Sequence, residues 1–226
     1  MNYSLILLCA GSGKRTGLKY NKIFYKINNQ TVYEMNISHF LEDNRCKQII
    51  VVTKENEIDD IRTLVNDSRI EYVFGGKERQ DSVYEGLKKV KENHVFIHDG
   101  ARPFVTEEMI NCGKKTVIAC GTCVLGMPSK DTVKIIDENG FVESTPKRDK
   151  VWNVQTPQIF SYPDIYKAYQ EAKKQGMQGI TDDAMVMEQY GALKVRLEEG
   201  SYENIKITTP EDILLAEKIL ETLEKE

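Results

Sequence analysis

The sequence predicts an α/β fold with a doubly wound, mainly parallel sheet. Two observations support this: short apolar runs rich in β-branched residues recur along the 226 residues, and stretches of helical period separate them. Parallel strands covered by helices on both faces are expected to be almost continuously apolar, as these runs are. Such sheets bind ligands at the carboxyl ends of their strands, so the segments that follow the strands are candidates for a site.

The strands and helices are predicted in order from these patterns. The strands are Ser4–Leu8, Gln48–Thr53, Ile70–Phe74, His94–His98, Thr122–Gly126 and Leu193–Arg196. The helices are Thr31–Leu41, Gln80–Lys91 (with Asp81 and Ser82 as N-cap candidates), Thr106–Ala119, Tyr162–Lys174 and a last helix that opens at Thr209-Pro210. That last helix has a Thr cap, a Pro at its first position and acids in its first turn, which are typical start signals.

One segment breaks the alternation. Residues 133–143 are predicted to form a β-hairpin, with Asn139-Gly140 supplying the two positive φ angles of a type I′ turn. A two-stranded ribbon is marginal by itself in water, so we expect it to dock on its own domain or on a second subunit. The sequence therefore predicts a single domain over residues 1–226, into which a protruding β-hairpin arm is inserted at about 132–150.

Composition limits the functional classes. The net charge of -4 argues against a surface adapted to nucleic acid but allows a local cationic pocket. No apolar run reaches the roughly 20 residues needed to cross a bilayer, and the first residues lack the basic region of a secretory signal. The five cysteines form no disulfide pattern, and Cys120-Gly-Thr-Cys123 is interpreted as a helix end followed by a buried strand. We therefore expect a cytoplasmic protein.

The glycine-rich segment after the first strand, residues 7–17, predicts an anion site. Small residues there let backbone amides approach a phosphate. The segment fails the dinucleotide fingerprint, because Gly17 comes one residue late, which argues against a dehydrogenase. It also fails the Walker pattern, because Arg15 follows Lys14. Together with Lys22, these cations favour a polyphosphate ligand; solvated cations on a surface loop are the alternative.

Further polar segments follow later strands. They are Gly75–Ser82, His98–Pro103, Lys147–Asp149, Gln155–Gln158 and Asn204–Pro210. Each by itself could be ordinary surface, and the prediction of a site depends on their cations meeting at one edge of the sheet. His98 and His39 are interpreted as packing residues, Trp152 as core or interface, and Thr181-Asp-Asp183 as a helix cap.

In this order the segments resemble the 2-C-methyl-D-erythritol 4-phosphate cytidylyltransferase family over nearly the whole chain. The matching motifs are Gly-Gly-x-x-Arg-x-Asp-Ser, His-Asp-x-Ala-Arg-Pro, Lys-Asp-Thr-Val-Lys, Trp-x-x-Gln-Thr-Pro-Gln and Thr-Asp-Asp-Ala. The resemblance implies a Rossmann-like nucleotidyltransferase of the non-mevalonate isoprenoid pathway. It would join CTP to the sugar-alcohol phosphate and release pyrophosphate, with Mg²⁺ carried mainly by the CTP phosphates. It further implies a homodimer formed through the β-arm, and neither nucleic acid nor membrane as a partner.

The resemblance also implies roles for individual residues. Arg15 and Lys22 match the pair that stabilises charge on the CTP phosphates, and Arg148 and Lys206 match the pair that positions the acceptor phosphate. The nucleotide side comprises Ala10, Gly11 and Gly13 in the cradle, Gly76, Lys77 and Ser82 near cytosine, and Asp99 and Gly100 near the ribose. The acceptor side comprises Arg102, Thr132, Thr156 and Thr181. No protein side chain is assigned to the metal.

The chain departs from the family pattern around Lys22. Asn21 and Ile23 stand where the family usually has Pro and Gln, and we expect the missing Pro to loosen the loop. Thr16 replaces a customary Met, Lys77 an acid, and Gly100 an Ala.

Two alternatives remain open at this point. One is a ribitol 5-phosphate cytidylyltransferase, although Trp152 and Thr181–Ala184 favour the methylerythritol branch. The other is a non-catalytic nucleotide-binding protein, which the altered lysine loop alone supports. For the transfer reaction no general base is needed, because a phosphate dianion is already deprotonated at neutral pH. Catalysis is then positioning and charge stabilisation.

Overall fold

The computed structural model describes residues 1–11 and 13–225 and confirms the predicted α/β class. Eleven strands occur in this part of the chain. They are β1 (Tyr3–Leu8), β2 (Lys26–Ile27), β3 (Gln30–Thr31), β4 (Cys46–Thr53), β5 (Ile70–Phe74), β6 (His94–Asp99), β7 (Thr122–Pro128), β8 (Ile135–Ile136), β9 (Val142–Ser144), β10 (Trp152–Ser161) and β11 (Leu197–Glu199).

Seven strands form the central sheet, in the order β11-β7-β10-β6-β1-β4-β5. The pairs β1–β4, β1–β6, β4–β5 and β11–β7 are parallel, whereas β10 runs antiparallel to both of its neighbours. The carboxyl ends of β1, β4, β5 and β6 therefore meet at one edge. Because β10 is reversed and Trp152 pairs with Pro128, the segment between β7 and β10 leaves from that same edge.

In the described part of the chain, seven α-helices pack around this sheet. They are α1 (Val32–Glu42), α2 (Ile58–Leu64), α3 (Arg79–Leu87), α4 (Glu107–Cys120), α5 (Tyr162–Lys174), α6 (Asp183–Tyr190) and α7 (Pro210–Leu223). Buried side chains of α1, α2 and α4 join one face of the sheet in a single core, and those of α3, α5 and α6 join the other. Helix α7 packs over β2 in a third, smaller cluster around Ile27, Ile207 and Ala216.

Most predicted elements are confirmed, and their ends are shifted by at most four residues. Thr209 is an N-cap as its sequence signals predict, and Thr31 and Thr106, which were predicted to begin their helices, are N-caps as well. The prediction of Asp81 or Ser82 as a cap is wrong, because α3 begins at Arg79 and Glu78 caps it in a reciprocal box with Asp81. As interpreted, Cys120 ends α4 and Cys123 is buried in β7.

Two errors concern the sheet. The strand predicted at Leu193–Arg196 is wrong, because the ladder to β7 forms over β11 while Leu193 and Val195 pack against the core beside it. Strand β10 was not predicted, because its Gln-Thr-Pro-Gln sequence is typical of a loop. Pro157 lacks an amide donor, and the pairing with β7 is interrupted between Val154 and Gln158.

The arm contains the predicted hairpin, β8 paired with β9, but not the predicted turn. Gly140 has φ 85°, whereas Asn139 does not have a positive φ. Instead, the carboxylate of Asp137 accepts hydrogen bonds from the amides of Asn139 and Phe141, both at 2.9 Å, and so fixes a turn with a single left-handed residue. Both arm strands are exposed, and at its base the Ser129 amide donates to the Val151 carbonyl (2.8 Å).

Across residues 1–11 and 13–225, we find no helix with the length and apolar character needed to cross a bilayer. All five cysteines are free.

Candidate active site

A cavity of about 760 Å³ opens at the carboxyl ends of β1, β4, β5 and β6. Most of the residues predicted for a nucleotide site line it. They are Ala10, Gly11, Gly13, Arg15, Lys22, Gly76, Lys77, Ser82 and Asp99, and Lys206, which was predicted for the acceptor phosphate, lines the same cavity. Six other predicted residues do not line it: Gly100, Arg102, Thr132, Arg148, Thr156 and Thr181.

The first wall is the glycine turn after β1. Gly13 and Gly17 flank a 3-10 turn with φ of 63° and 73°, a left-handed conformation that favours glycine. The buried Thr16 hydroxyl closes the turn by donating to the Gly13 carbonyl at 2.6 Å. The turn places the exposed Arg15 at the cavity. Ser12 and the side chain of Lys14 lie outside the described part of the structure.

The turn that carries Lys22 is fastened rather than loosened. Asn21 is buried, and its side-chain amide donates to the Cys9 carbonyl (2.7 Å) and to Glu57 (2.8 Å). Its carbonyl oxygen accepts from the Ile23 amide at 3.4 Å and caps the 3-10 turn. The expectation that losing the family's Pro loosens this loop is therefore wrong, because Asn21 ties the turn to the end of β1.

Lys22 has an unusual electrostatic environment. Burial, reinforced by the neighbouring Lys206 and Arg15, lowers the pKa of its ammonium to about 8, although Asp99 acts in the opposite direction. Among the residues that the structure describes, no carboxylate forms an ion pair with it. Lys22 is thus a partly desolvated cation beside two others, and an anion entering the cavity would relieve this repulsion.

The opposite wall is the turn after β5. A Cβ atom at Gly75 would lie 2.8 Å from the Ala10 Cβ and 2.9 Å from the Ser82 hydroxyl, so only glycine lets the two turns approach this closely. The Gly76 amide donates to the Ser82 hydroxyl at 3.1 Å, which orders the turn. Half-exposed Phe74 also lines the cavity here and offers an apolar ring to a ligand.

Asp99, at the end of β6, is surrounded by cations. Its carboxylate lies 3.2 Å from Arg79 Nε, 2.7 Å from Lys206 Nζ and 4.0 Å from Arg102 Nε. Burial alone would raise the pKa of Asp99, but Arg79 and Lys206 outweigh burial and hold that pKa well below its usual range. The carboxylate is therefore ionised, and in this structure it holds Lys206 at the cavity wall.

Behind this wall the acceptor-side candidates have structural contacts. Arg102 Nη1 donates to the Asn204 carbonyl at 2.7 Å, and the buried Thr156 hydroxyl accepts from the Asp99 amide at 3.0 Å. The Gly100 amide donates to the Leu8 carbonyl at 2.9 Å.

Three further candidates are exposed. Thr132 and Arg148 lie on the arm and its base, and Thr181 lies just before α6, with its hydroxyl 3.7 Å from the Met185 sulfur. The structure thus brings Arg15, Lys22 and Lys206 together within one chain and leaves Arg148 apart from them.

His98 and Cys9 are poor candidates for proton transfer or nucleophilic attack. His98 Nε2 lies 3.1 Å from the Arg102 carbonyl, which can only accept, so Nδ1 accepts from the Thr156 hydroxyl at 3.0 Å. Burial lowers the pKa of His98 to about 4, so the ring is neutral. Burial raises the pKa of the Cys9 thiol far above its ordinary range. This agrees with a reaction that needs no protein base.

Sequence reasoning missed several residues of the wall. They are Thr53, Lys54, Glu55, Phe74, Arg79 and Thr208. Arg79 stands inside the quoted Gly-Gly-x-x-Arg motif, which could have drawn attention to it. Position gave a second signal: β4 and β5 both end at the predicted edge of the sheet, so the residues at and just after their ends are candidates for the wall.

In the described part of the chain, no cluster of three or more His, Cys, Asp or Glu side chains is arranged to hold a metal. The one carboxylate at the centre of the wall, Asp99, is already shared by Arg79 and Lys206. A divalent cation here would have to take most of its ligands from a bound polyphosphate, which suits Mg²⁺.

Comparison with known proteins gives one consistent family. The model of the family described as IspD: 2-C-methyl-D-erythritol 4-phosphate cytidylyltransferase matches residues 3–222. Proteins of that name from Clostridium botulinum and Clostridioides difficile are each 44% identical to this chain, over 97% and 96% of it and over 98% and 93% of their own lengths. Similar solved structures include 4-diphosphocytidyl-2C-methyl-D-erythritol synthase from Anaerococcus prevotii, with a TM-score of 0.88, 35% identity and coverage of 96% of this chain and 95% of that one.

Proposed function

The chain belongs to the 2-C-methyl-D-erythritol 4-phosphate cytidylyltransferase family, and we propose that it joins CTP to 2-C-methyl-D-erythritol 4-phosphate. The products are 4-diphosphocytidyl-2-C-methyl-D-erythritol and pyrophosphate, a step of non-mevalonate isoprenoid synthesis. The observation that carries this proposal is the cavity at the strand ends, where Arg15, Lys22 and Lys206 converge beside the glycine turn.

The chemistry follows from the charges. An oxygen of the acceptor phosphate attacks the α-phosphorus of CTP, and the bond from that phosphorus to the oxygen shared with the β-phosphate breaks, so that pyrophosphate leaves. Both reactants are anions, and the main barriers are bringing them together and dispersing the charge of the leaving group. Fixed cations lower both barriers, and pre-organised groups of this kind act without reorganising during the reaction. Arg15 and Lys22 are proposed to stabilise the triphosphate, and Lys206 to hold the acceptor phosphate.

The nucleoside half of CTP is proposed to occupy the side of the cavity between the two glycine turns. Backbone amides near Gly76 and the Ser82 hydroxyl are suited to reading the polar edge of cytosine, and Phe74 contributes an apolar surface beside them. Lys77, which stands where the family pattern has an acid, lines the same side of the cavity. Its backbone groups are therefore available to contact cytosine whatever its side chain is.

We propose Mg²⁺ as the cofactor, carried mainly by the CTP phosphates. The donor set described above fits this arrangement, because Mg²⁺ in nucleotide sites commonly uses few carboxylates together with substrate phosphates and water. Asp99, Glu55 and Glu78 are the carboxylates among the residues that line the cavity. When bound, the ion would supply further neutralisation of the charge on the departing pyrophosphate.

A homodimer formed through the arm is proposed to complete the acceptor side. Ile136, Phe141 and Val142 of the arm are more than half exposed, with Phe141 at 73%, and such apolar side chains on a hairpin are expected to seek a partner. Arg148 and Thr132 lie on the same arm but do not line this chain's cavity. A two-fold partner would bring its own Arg148 and Thr132 towards the cavity.

A cytoplasmic location completes the proposal. The five free cysteines suit a reducing compartment, and the substrates are small soluble anions.

The deciding experiment is an acceptor panel. The purified protein is given CTP and Mg²⁺ with either 2-C-methyl-D-erythritol 4-phosphate or ribitol 5-phosphate, and pyrophosphate release is measured. We expect turnover with the first acceptor and little with the second. Preference for ribitol 5-phosphate would replace the proposed acceptor, and no release with either would favour a non-catalytic nucleotide-binding protein. A Lys22→Ala protein, purified identically, controls for contaminating host enzyme.

A further inference from the structure

Arg79 links two carboxylates from distant parts of the chain. Its Nη1 and Nη2 donate to the two carboxylate oxygens of Asp183 at 3.1 and 2.8 Å, and its Nε donates to Asp99 at 3.2 Å. Asp183 is fully buried and also accepts from the Tyr169 hydroxyl at 2.6 Å. A fork held in this way has little freedom, because a buried bidentate pair fixes the plane of the guanidinium.

The fixed fork orients Asp99. One oxygen of Asp99 is taken by Arg79 Nε, and the other faces the Lys206 ammonium at 2.7 Å. Lys206 itself is about one-third exposed at the end of a flexible stem, so it has no comparable constraint of its own. The order of support therefore runs from Asp183 to Arg79, to Asp99 and then to Lys206.

Without Arg79 this order would fail in two ways. The Asp99 carboxylate would be free to rotate, and Lys206 would follow it away from the position it holds at the wall. An incompletely neutralised carboxylate would also face the cavity, where it would repel an incoming phosphate. Loss of the Tyr169 hydroxyl would cause neither effect, because that hydroxyl donates to Asp183 and not to Asp99.

We propose that Arg79 is a positioning residue of this enzyme, which through Asp99 sets the place of the Lys206 ammonium. The inference rests on the proposed transfer activity. It concerns geometry rather than charge, so Arg79→Lys is the informative substitution, because it keeps the positive charge and loses the three-point fork.

The test is a double-mutant cycle on pyrophosphate release with CTP and 2-C-methyl-D-erythritol 4-phosphate. Because displacement by about 1 Å can cost about 10²-fold in rate, we expect Arg79→Lys to lower kcat by about tenfold or more, with little change in the KM for CTP. In a Lys206→Ala background Arg79→Lys should leave the residual rate unchanged, because Arg79 is proposed to act through the Lys206 ammonium, which is absent there.

Tyr169→Phe is the matched control. It removes another hydrogen bond to the same buried carboxylate, so it should lower Tm and leave kcat unchanged. The inference is overturned if Arg79→Lys lowers Tm and leaves kcat unchanged. It is also overturned if Arg79→Lys lowers kcat by the same factor in the wild-type and Lys206→Ala backgrounds. Should circular dichroism show that Arg79→Lys does not fold, Asp183→Asn carries the test, with a smaller loss of kcat that again disappears in Lys206→Ala.

The two proposals fail differently. A wild-type protein without turnover overturns the proposed function and this inference with it. An active wild type with an unaffected Arg79→Lys variant overturns the inference alone.

Discussion

The role proposed for Lys22 predicts that activity depends on pH. Its ammonium must be protonated to stabilise phosphate charge, and burial together with Lys206 and Arg15 lowers its pKa to about 8. We therefore expect kcat/KM for CTP to fall as pH rises through about 8, and kcat/KM for the acceptor to fall on the acid side near about 6, where its phosphate monoester loses its second charge. Bound CTP raises the pKa of Lys22, so the alkaline limb of kcat should lie at higher pH than that of kcat/KM.

The Lys22→Arg variant tests this assignment. A guanidinium stays charged over the whole range, so any remaining activity should lose the alkaline limb near 8. An alkaline limb that persists unchanged in Lys22→Arg would show that another group causes it.

Asn21 supports Lys22 and is the residue with which this chain replaces the family's Pro. Asn21→Ala removes the donors to Cys9 and Glu57, and leaving the buried Cys9 carbonyl unpaired should cost about 1–3 kcal/mol of unfolding free energy. We also expect kcat to fall more than the affinity for CTP changes, because the turn that carries Lys22 loses its anchor.

Urea unfolding and steady-state kinetics measure both effects. Asn111→Ala, which removes a partly exposed asparagine of α4 and its hydrogen bond to Glu107, is the control and should leave kcat unchanged. Normal turnover in a destabilised Asn21→Ala protein would mean that the anchor serves stability alone.

At the scale of elements, the sequence predicts best where pattern and environment agree. Strands such as β5 and helices such as α5 are recovered to the residue, because their apolar periodicity is set by burial against the sheet. Strand β10 is hidden because Pro157 and two glutamines in a sheet centre contradict local propensity, and the buried polar groups there are satisfied only by distant partners such as Asp182 and Ala184.

The candidate site follows the same division. Arg15, Lys22 and Lys206 could be predicted together, because each follows a turn or strand end at one edge of the sheet. The pairing of Arg79 with Asp183 could not be predicted, because the two residues are 104 positions apart and ion pairs at that separation leave no local pattern.

The arm is an element whose removal can be tested directly. Replacing residues 133–145 by a short glycine linker should give a folded monomer, because the exposed apolar side chains of β8 and β9 are lost while the contact of Ser129 with Val151 remains. Light scattering after size exclusion measures the mass, and circular dichroism the fold. Phe141→Glu should also shift the protein towards monomer, because it places a charge on the exposed apolar surface of the arm. A deletion variant whose mass by light scattering is still that of a dimer would contradict the proposed role of the arm.

At the scale of the whole molecule, the distance of Arg148 from the other cations predicts complementation. If each site uses its own Arg15 and the partner's Arg148, a re-equilibrated equal mixture of Arg15→Ala and Arg148→Ala chains contains one intact site in every mixed dimer. About one-quarter of the wild-type activity should then return, as expected for random pairing in a two-fold dimer. Pyrophosphate release measures the recovery.

The control mixture joins Arg15→Ala with Lys22→Ala. Both residues line one chain's cavity, so this mixture should stay inactive. An inactive Arg15→Ala and Arg148→Ala mixture would place all four cations within a single subunit.

Strand β10 is both the returning base of the arm and a support behind the wall of the cavity. It starts at Trp152, opposite Pro128, and a few residues later its Thr156 hydroxyl supports the Asp99 amide. A foreign hairpin that gives the protein a different assembly partner should therefore replace only residues between Pro128 and Trp152. Residues inward of that junction support the candidate site, whereas those outward are exchangeable apart from Thr132 and Arg148, which are proposed to serve the partner's cavity.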